Sequence, residues 1–246
     1  MKSAKFRLNY NFKVYRFTGI LLLWLIPFFV PAQNNTQDTS KIAAFIKKAN
    51  QLSSASGDSG IFYFQKAIKL ADNLSNASSS KGNIKTVLLR QLIKAELGLG
   101  LIYYQNVDYS KALEHYQLAY KSAKVLGRPA YLGECLFNFG EVYLEQSLFQ
   151  QAMSNYTEAV IEFEKVKDKP GIYWCFVGMG IAQKQCGNFT DAVICYEKAL
   201  AIATGAGMKL EVAYCFNNLG NVYRQQGNFV KSMDAYEKAL LRFNAM

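Results

Sequence analysis

"LGNVYRQQGNFVKSMDAYEKAL", residues 219–240, recurs three times upstream: "LGLIYYQNVDYSKALEHYQLAY" from Leu99, "FGEVYLEQSLFQQAMSNYTEAV" from Phe139 and "MGIAQKQCGNFTDAVICYEKAL" from Met179. The four copies start 40 residues apart without a gap. Self-similarity at such a period is the mark of an array of small supersecondary units, and it decides the architecture before any local motif does.

One copy can be read as physics. Phe216, Leu219, Gly220 and Tyr223 fall at i, i+3, i+4 and i+7, one stripe of a helix that must face a partner. After Gly227, which suits the left-handed end of a helix, and Asn228, which suits a turn, a second stripe runs through Phe229, Ser232, Tyr236 and Ala239. The unit is a helical hairpin. Small residues stand where its backbones should cross: Gly220 with Ser232, and upstream Gly100 with Ala112, Gly140 with Ala152 and Gly180 with Ala192. Tyr116, Tyr156, Tyr196 and Tyr236 lie one helical turn beyond, and Ala119, Ala159, Ala199 and Ala239 leave room for the next hairpin. A single hairpin cannot bury both stripes, so neighbours must cover them. The expected fold is all-α, a solenoid of helical-hairpin repeats.

These residues resemble the tetratricopeptide repeat, with its aromatic, Leu-Gly, Tyr, small, aromatic and Ala positions. The usual first Trp is replaced by Glu96, Leu136, Phe176 and Phe216, and Gln183 stands where the other copies have Tyr. The period of 40 exceeds the ordinary repeat of about 34 and implies longer helices. Four units are expected, at 93–132, 133–172, 173–212 and 213–246. A degenerate amino-terminal repeat at 41–92 carries a stripe of Ile42, Phe45, Ile46, Ala49 and Leu52, then Phe64 and Ala67, and 12 extra residues around "SNASSSKGN" read as a loop plus a lengthened helix. The resemblance implies a right-handed superhelix whose concave groove is lined by the first helix of each hairpin and binds a protein or peptide.

The ends and composition bound the setting. Residues 1–32 carry Lys2, Lys5, Arg7, Lys13 and Arg16 before the apolar run "GILLLWLIPFFVPA", the layout of a secretory signal cut near Ala32. An uncleaved amino-terminal anchor is the competing reading, and only then would the chain meet the membrane. Either way the repeats are expected outside the cytoplasm, periplasmic or secreted, after a polar linker at 33–40. Without the signal, 23 basic residues face 18 acidic ones, a net +5, and no basic cluster interleaved with aromatics follows Lys48; no nucleic-acid partner is expected. Cys135, Cys175 and Cys215 recur one repeat apart, roughly 10 Å in a stack of helices and too far for a disulfide, so they read as small buried hydrophobes. Cys186 and Cys195 flank a turn and could approach each other. With His115 as the single histidine and no CxxC pair, no metal is expected.

Function is expected on the face opposite the packing stripe. In the last unit that face carries Tyr214, Asn217, Asn221, Arg224 and Gln225. The equivalent sets are Trp174, Val177, Ile181, Lys184 and Gln185; Glu134, Phe137, Glu141, Leu144 and Glu145; and Lys94, Leu97, Leu101, Tyr104 and Gln105. Side-chain amides can bond a peptide backbone, and Arg224 with Lys184 can hold a carboxylate. Asn217 and Asn221 also fit an ordinary surface role, and Trp174 fits packing against the next repeat. Glu141 and Glu145 read as solvated neighbours. No phosphate loop, GxSxG or HExxH occurs, so neither catalysis nor a cofactor is expected. The second expectation is the extracytoplasmic sensor portion of a signalling enzyme such as a histidine kinase or nucleotide cyclase. In the first, the uncapped final helix invites self-association.

Overall fold

The computed structural model describes residues 33–53, 57–77 and 82–245, and the expected signal at 1–32 lies outside them. Among the described residues there are ten helices and no strand: α1 (Gln33–Leu52), α2 (Gly57–Ala77), α3 (Gly82–Gln105), α4 (Tyr109–Leu126), α5 (Pro129–Glu145), α6 (Phe149–Lys165), α7 (Lys169–Gln185), α8 (Phe189–Gly205), α9 (Lys209–Gln225) and α10 (Phe229–Asn244). They pair in chain order into five antiparallel hairpins. Each second helix packs on the first helix of the following hairpin, giving the expected solenoid.

The turns explain the period. Within hairpins, Val107, Ser147, Gly187 and Gly227 take the left-handed conformation, and between hairpins Gly127, Lys167 and Gly207 do the same. Gly227 thus ends α9 as its sequence foretold. The following helix is then capped: Asp108 accepts from the Lys111 amide, Asp168 from the Gly171 amide and Asn228 from the Lys231 amide, at 3.1–3.2 Å. Helices α5, α7 and α9 begin at 129, 169 and 209, four residues before the expected unit boundaries, with Pro129 and Pro170 in the first turn of two of them. Proline fits there because that turn's amides have no intrahelical partner.

Residues 33–40 are not a linker; they are the first turns of α1. Once Ile42, Ile46 and Ala49 are buried, each further helical residue adds a hydrogen bond without a new nucleation cost, and Asp38 pairs with Lys41 at 3.0 Å. The lengthened helix is α3, 24 residues against 17 in α5, α7 and α9. Of the inserted loop, residues 78–81 lie outside the described residues.

The core is organised by aromatic rings on bare glycines. A β-carbon at Gly100, Gly140, Gly180 or Gly220 would run into the ring of Tyr116, Tyr156, Tyr196 or Tyr236 from the same hairpin. Tyr156 is enclosed from a second side by Gly178 of the next hairpin, and Phe163 sits between Gly133 and Gly171. The backbone crossing is close as well, since the Ser232 hydroxyl donates to the Gly220 carbonyl at 2.9 Å. Cys135, Cys175 and Cys215 are buried thiols, and burial pushes the Cys215 thiol up to about 12. Cys186, exposed, and Cys195, half-buried, are free thiols too.

At the position of the missing tryptophan, Glu96 is 4% exposed, and His115 Nδ1 lies 2.7 Å from its carboxylate. The His115 ring stacks on Tyr103 at 5.3 Å. A buried carboxylate requires such a partner, so the only histidine in the chain is a structural one.

A methyl at Gly140 would stand 2.5 Å from Tyr156, and one at Gly178, across the same ring, would come equally close, whereas one at Gly220 would meet Tyr236 at 2.7 Å, a ring with no second glycine against it among the described residues. Gly140→Ala is therefore expected to destabilise by about 2–3 kcal/mol and Gly220→Ala by about 1 kcal/mol, measured by denaturant unfolding. Equal losses would show that the second enclosure of Tyr156 carries no energy.

Candidate functional site

The first helices approach one another along the array, α1 with α3, α3 with α5 and α5 with α7, and no comparable approach between second helices occurs among the described residues. The stack therefore curves inward on the side of the first helices. That side presents the residues singled out from the sequence, in three different situations.

Some belong to the core. Leu97, Leu144 and Val177 are 7%, 8% and 3% exposed, so these three of the positions expected to face a ligand are instead closed by neighbouring helices. Tyr214 is turned toward the end of α10, its ring 5.6 Å from that of Phe243 in an edge-on contact. Trp174 is half-buried, edge-on to Tyr173 at 4.9 Å and packed on the core formed with α9.

Others face the inner side but are tied to the scaffold. The Tyr156 hydroxyl donates to Glu141 Oε1 at 2.5 Å, and the Tyr236 hydroxyl donates to Asn221 Oδ1 at 2.9 Å. The same tyrosines that rest on glycine thus reach through to the concave surface and fix a polar group there. Glu141 is not a solvated neighbour of Glu145. It is half-buried, and loss of water pushes its carboxyl up to about 7 although the Tyr156 bond pulls it down; Glu145, itself exposed, adds a further upward push. Crowding by flanking hairpins shifts the exposed Glu134 in the same direction, against the pull of Lys94.

A third group is open. Half-buried Tyr104 on α3 lies beside Glu141 and Glu145 of α5, and burial together with those carboxylates raises its phenol well above the ordinary range. Half-buried Lys184 on α7 is lowered by burial and by the Arg224 guanidinium on α9. Asn217 is half-buried, and Arg224 and Gln225 are exposed. The inner surface is thus divided. Carboxylates beside a tyrosine occupy α5, and two cations lie across α7 and α9.

The sequence reading missed the tyrosine anchors, although a signal was present at twice the repeat. Positions 98, 138, 178 and 218 read Gly, Asn, Gly, Asn, and positions 101, 141, 181 and 221 read Leu, Glu, Ile, Asn. Apolar and polar hairpins alternate, and the two anchored hydroxyls fall in the polar ones. Among the described residues, no three His, Cys, Asp or Glu side chains converge as a metal site, and no helix is long and apolar enough to cross a membrane.

Solved structures share this arrangement. BtubC (BKLC) from P. vanneervenii is 20% identical with a TM-score of 0.62, over 87% of this chain and 92% of that one. Aspartyl phosphate phosphatase F from Bacillus subtilis is 15% identical with a TM-score of 0.63, over 83% of this chain and 60% of that one. NprR in complex with its cognate peptide NprX is 17% identical with a TM-score of 0.53, over 85% of this chain and 55% of that one. At these identities the likeness is one of fold. No curated protein matches the sequence. The tetratricopeptide repeat profile matches residues 91–160 and 173–244, more than half of the chain. With the repeats, the hairpin stack and that match in agreement, the chain belongs to the tetratricopeptide repeat family.

Proposed function

We propose that the inner side of the hairpin stack binds an extended peptide, free or as a segment of a partner protein, and catalyses nothing itself. The observation that carries this is the separation of charge on an otherwise regular scaffold. Stacking positions repeat from hairpin to hairpin, whereas Glu134, Glu141 and Glu145 gather on α5 and Lys184 and Arg224 on α7 and α9. None of these five has an ion pair among the described residues. Such a surface favours a ligand with a basic residue over α5 and a carboxylate over Lys184 and Arg224. Asn217 can bond the peptide backbone between them. The fold shared with NprR, solved with a bound peptide, supports the reading.

The mechanism is one of positioning. Tyr156 and Tyr236 hold Glu141 and Asn221 in fixed directions before a ligand arrives, so less freedom is lost on binding. Titrating the full chain with short synthetic peptides tests the scheme. A peptide with a lysine and a free carboxyl end should bind, and Glu141→Gln or Arg224→Ala should each weaken it roughly tenfold with helical content unchanged. The Glu141 carboxyl, raised to about 7, is neutral below that pH and charged above it. Binding should therefore strengthen from about pH 6 to about pH 8, and Glu141→Gln should flatten the profile. Equal binding by acidic and basic peptides, indifferent to both substitutions, would remove the assignment.

We further propose that this happens outside the cytoplasm, since basic residues followed by a short apolar run at 1–32 have the layout of an export signal. The amino-terminal residue of the protein recovered from its producing cell tests this. A start near Gln33 is expected for a cleaved chain, and a cytoplasmic chain beginning at Met1 would contradict it.

A further inference from the structure

Polar and apolar hairpins alternate, and the groups that meet between first helices alternate with them. Half-buried Tyr104 of α3 lies beside Glu141 and Glu145 of α5. Two repeats further on, the same places are taken by Lys184 of α7 with Asn221 and Gln225 of α9. The two sets share more than register, because Glu141 and Asn221 are each fastened by the tyrosine of their own hairpin, Tyr156 at 2.5 Å and Tyr236 at 2.9 Å. One arrangement is thus present twice, first with carboxylates and then with cations, since Arg224 stands beside Lys184 in the second.

One repeat on from the first set, the corresponding places hold Leu144 of α5 with Ile181 and Gln185 of α7. Leu144 is 8% exposed, and Ile181 is half-buried and packed on the cores to either side. Three consecutive steps along the inner side therefore run acidic, uncharged, basic.

The fold sets the distance between the two poles. Packed helices lie about 8–10 Å apart, so two hairpin steps come to about 20 Å. That exceeds the Debye length of about 8 Å at physiological salt, so neither pole neutralises the other and each calls for its own counter-charge. An extended peptide rises about 3.3 Å per residue and must place its two charges about six residues apart to reach both.

We infer that the inner side selects its ligand by length: an extended peptide whose basic side chain lies over α5 and whose free carboxyl end lies over α7 and α9, about six residues further on, with uncharged residues between. The inference rests on the peptide-binding reading and adds to it the direction of the bound chain, amino end toward α5, and the interval between its charges.

Calorimetric titration of the full chain tests it with peptides carrying an acetylated amino end, one lysine, a spacer of three, six or nine prolines, and a free carboxyl end. Proline spacers are semi-rigid at about 3.1 Å per residue, so a wrong length is not absorbed by coiling. The six-proline peptide should bind roughly fivefold or more tighter than either of the others. A variant with Glu141→Gln, Glu145→Gln and Leu101→Glu moves the acidic pole one hairpin outward, from α5 to α3, and its best spacer should become nine prolines with helical content unchanged. The length series on the unmodified chain decides by itself should that variant fold poorly. Equal binding at all three lengths, still weakened by Glu141→Gln and by Arg224→Ala, would overturn the spacing and leave peptide binding in place. An optimum that stayed at six prolines in the folded variant would overturn the placing of the basic side chain over α5. Binding of none of the three peptides would overturn the peptide reading together with the interval.

Discussion

A tyrosine ring packed against a bare glycine sets how closely the two helices of each hairpin approach, and the rest of the molecule follows from that approach. At Gly140 and Gly180 the space of one missing methyl is filled by Tyr156 and Tyr196. The contact brings the second helix near enough for small residues such as Ala152 and Ala192 to be fully buried at the crossing. A larger residue at the glycine would push the helices apart and remove both contacts together. Because Tyr156 also rests on Gly178, the same ring sets the spacing between hairpins as well as within one.

These tyrosines link scaffold to surface. Their rings belong to the stack, but the hydroxyls of Tyr156 and Tyr236 emerge at the inner face and fasten Glu141 and Asn221. Residues that look free in a helical projection are therefore held in place. The inner face is a mixture of fixed groups and open ones, Arg224 and Gln225 among the latter. That combination suits recognition, since part of the ordering is complete before a ligand binds.

Most of the fold was legible in the sequence because repetition exposes it. The 40-residue phase, the glycine-to-small-residue crossings and the left-handed Gly227 are all visible in the sequence itself, and each corresponds to a backbone or packing requirement. Residues 33–40 were misread because their polar composition hides a helix that is extended from the buried stripe behind it. The inner face was less legible. A projection of one helix cannot show that a neighbour closes over Leu97, Leu144 and Val177, or that Tyr214 turns toward Phe243. Nor does local pattern reveal that His115 compensates a buried Glu96 19 residues away in the chain.

If ring-on-glycine contacts between neighbours hold the array, stability should be graded along it and not shared equally. Native-state hydrogen exchange, read helix by helix, measures this most directly. The strongest protection is expected in α5, α6 and α7, where Tyr156 and Phe163 are each enclosed by glycines of two hairpins, with opening free energies falling toward α1 and α10. A single opening free energy common to all helices would contradict it.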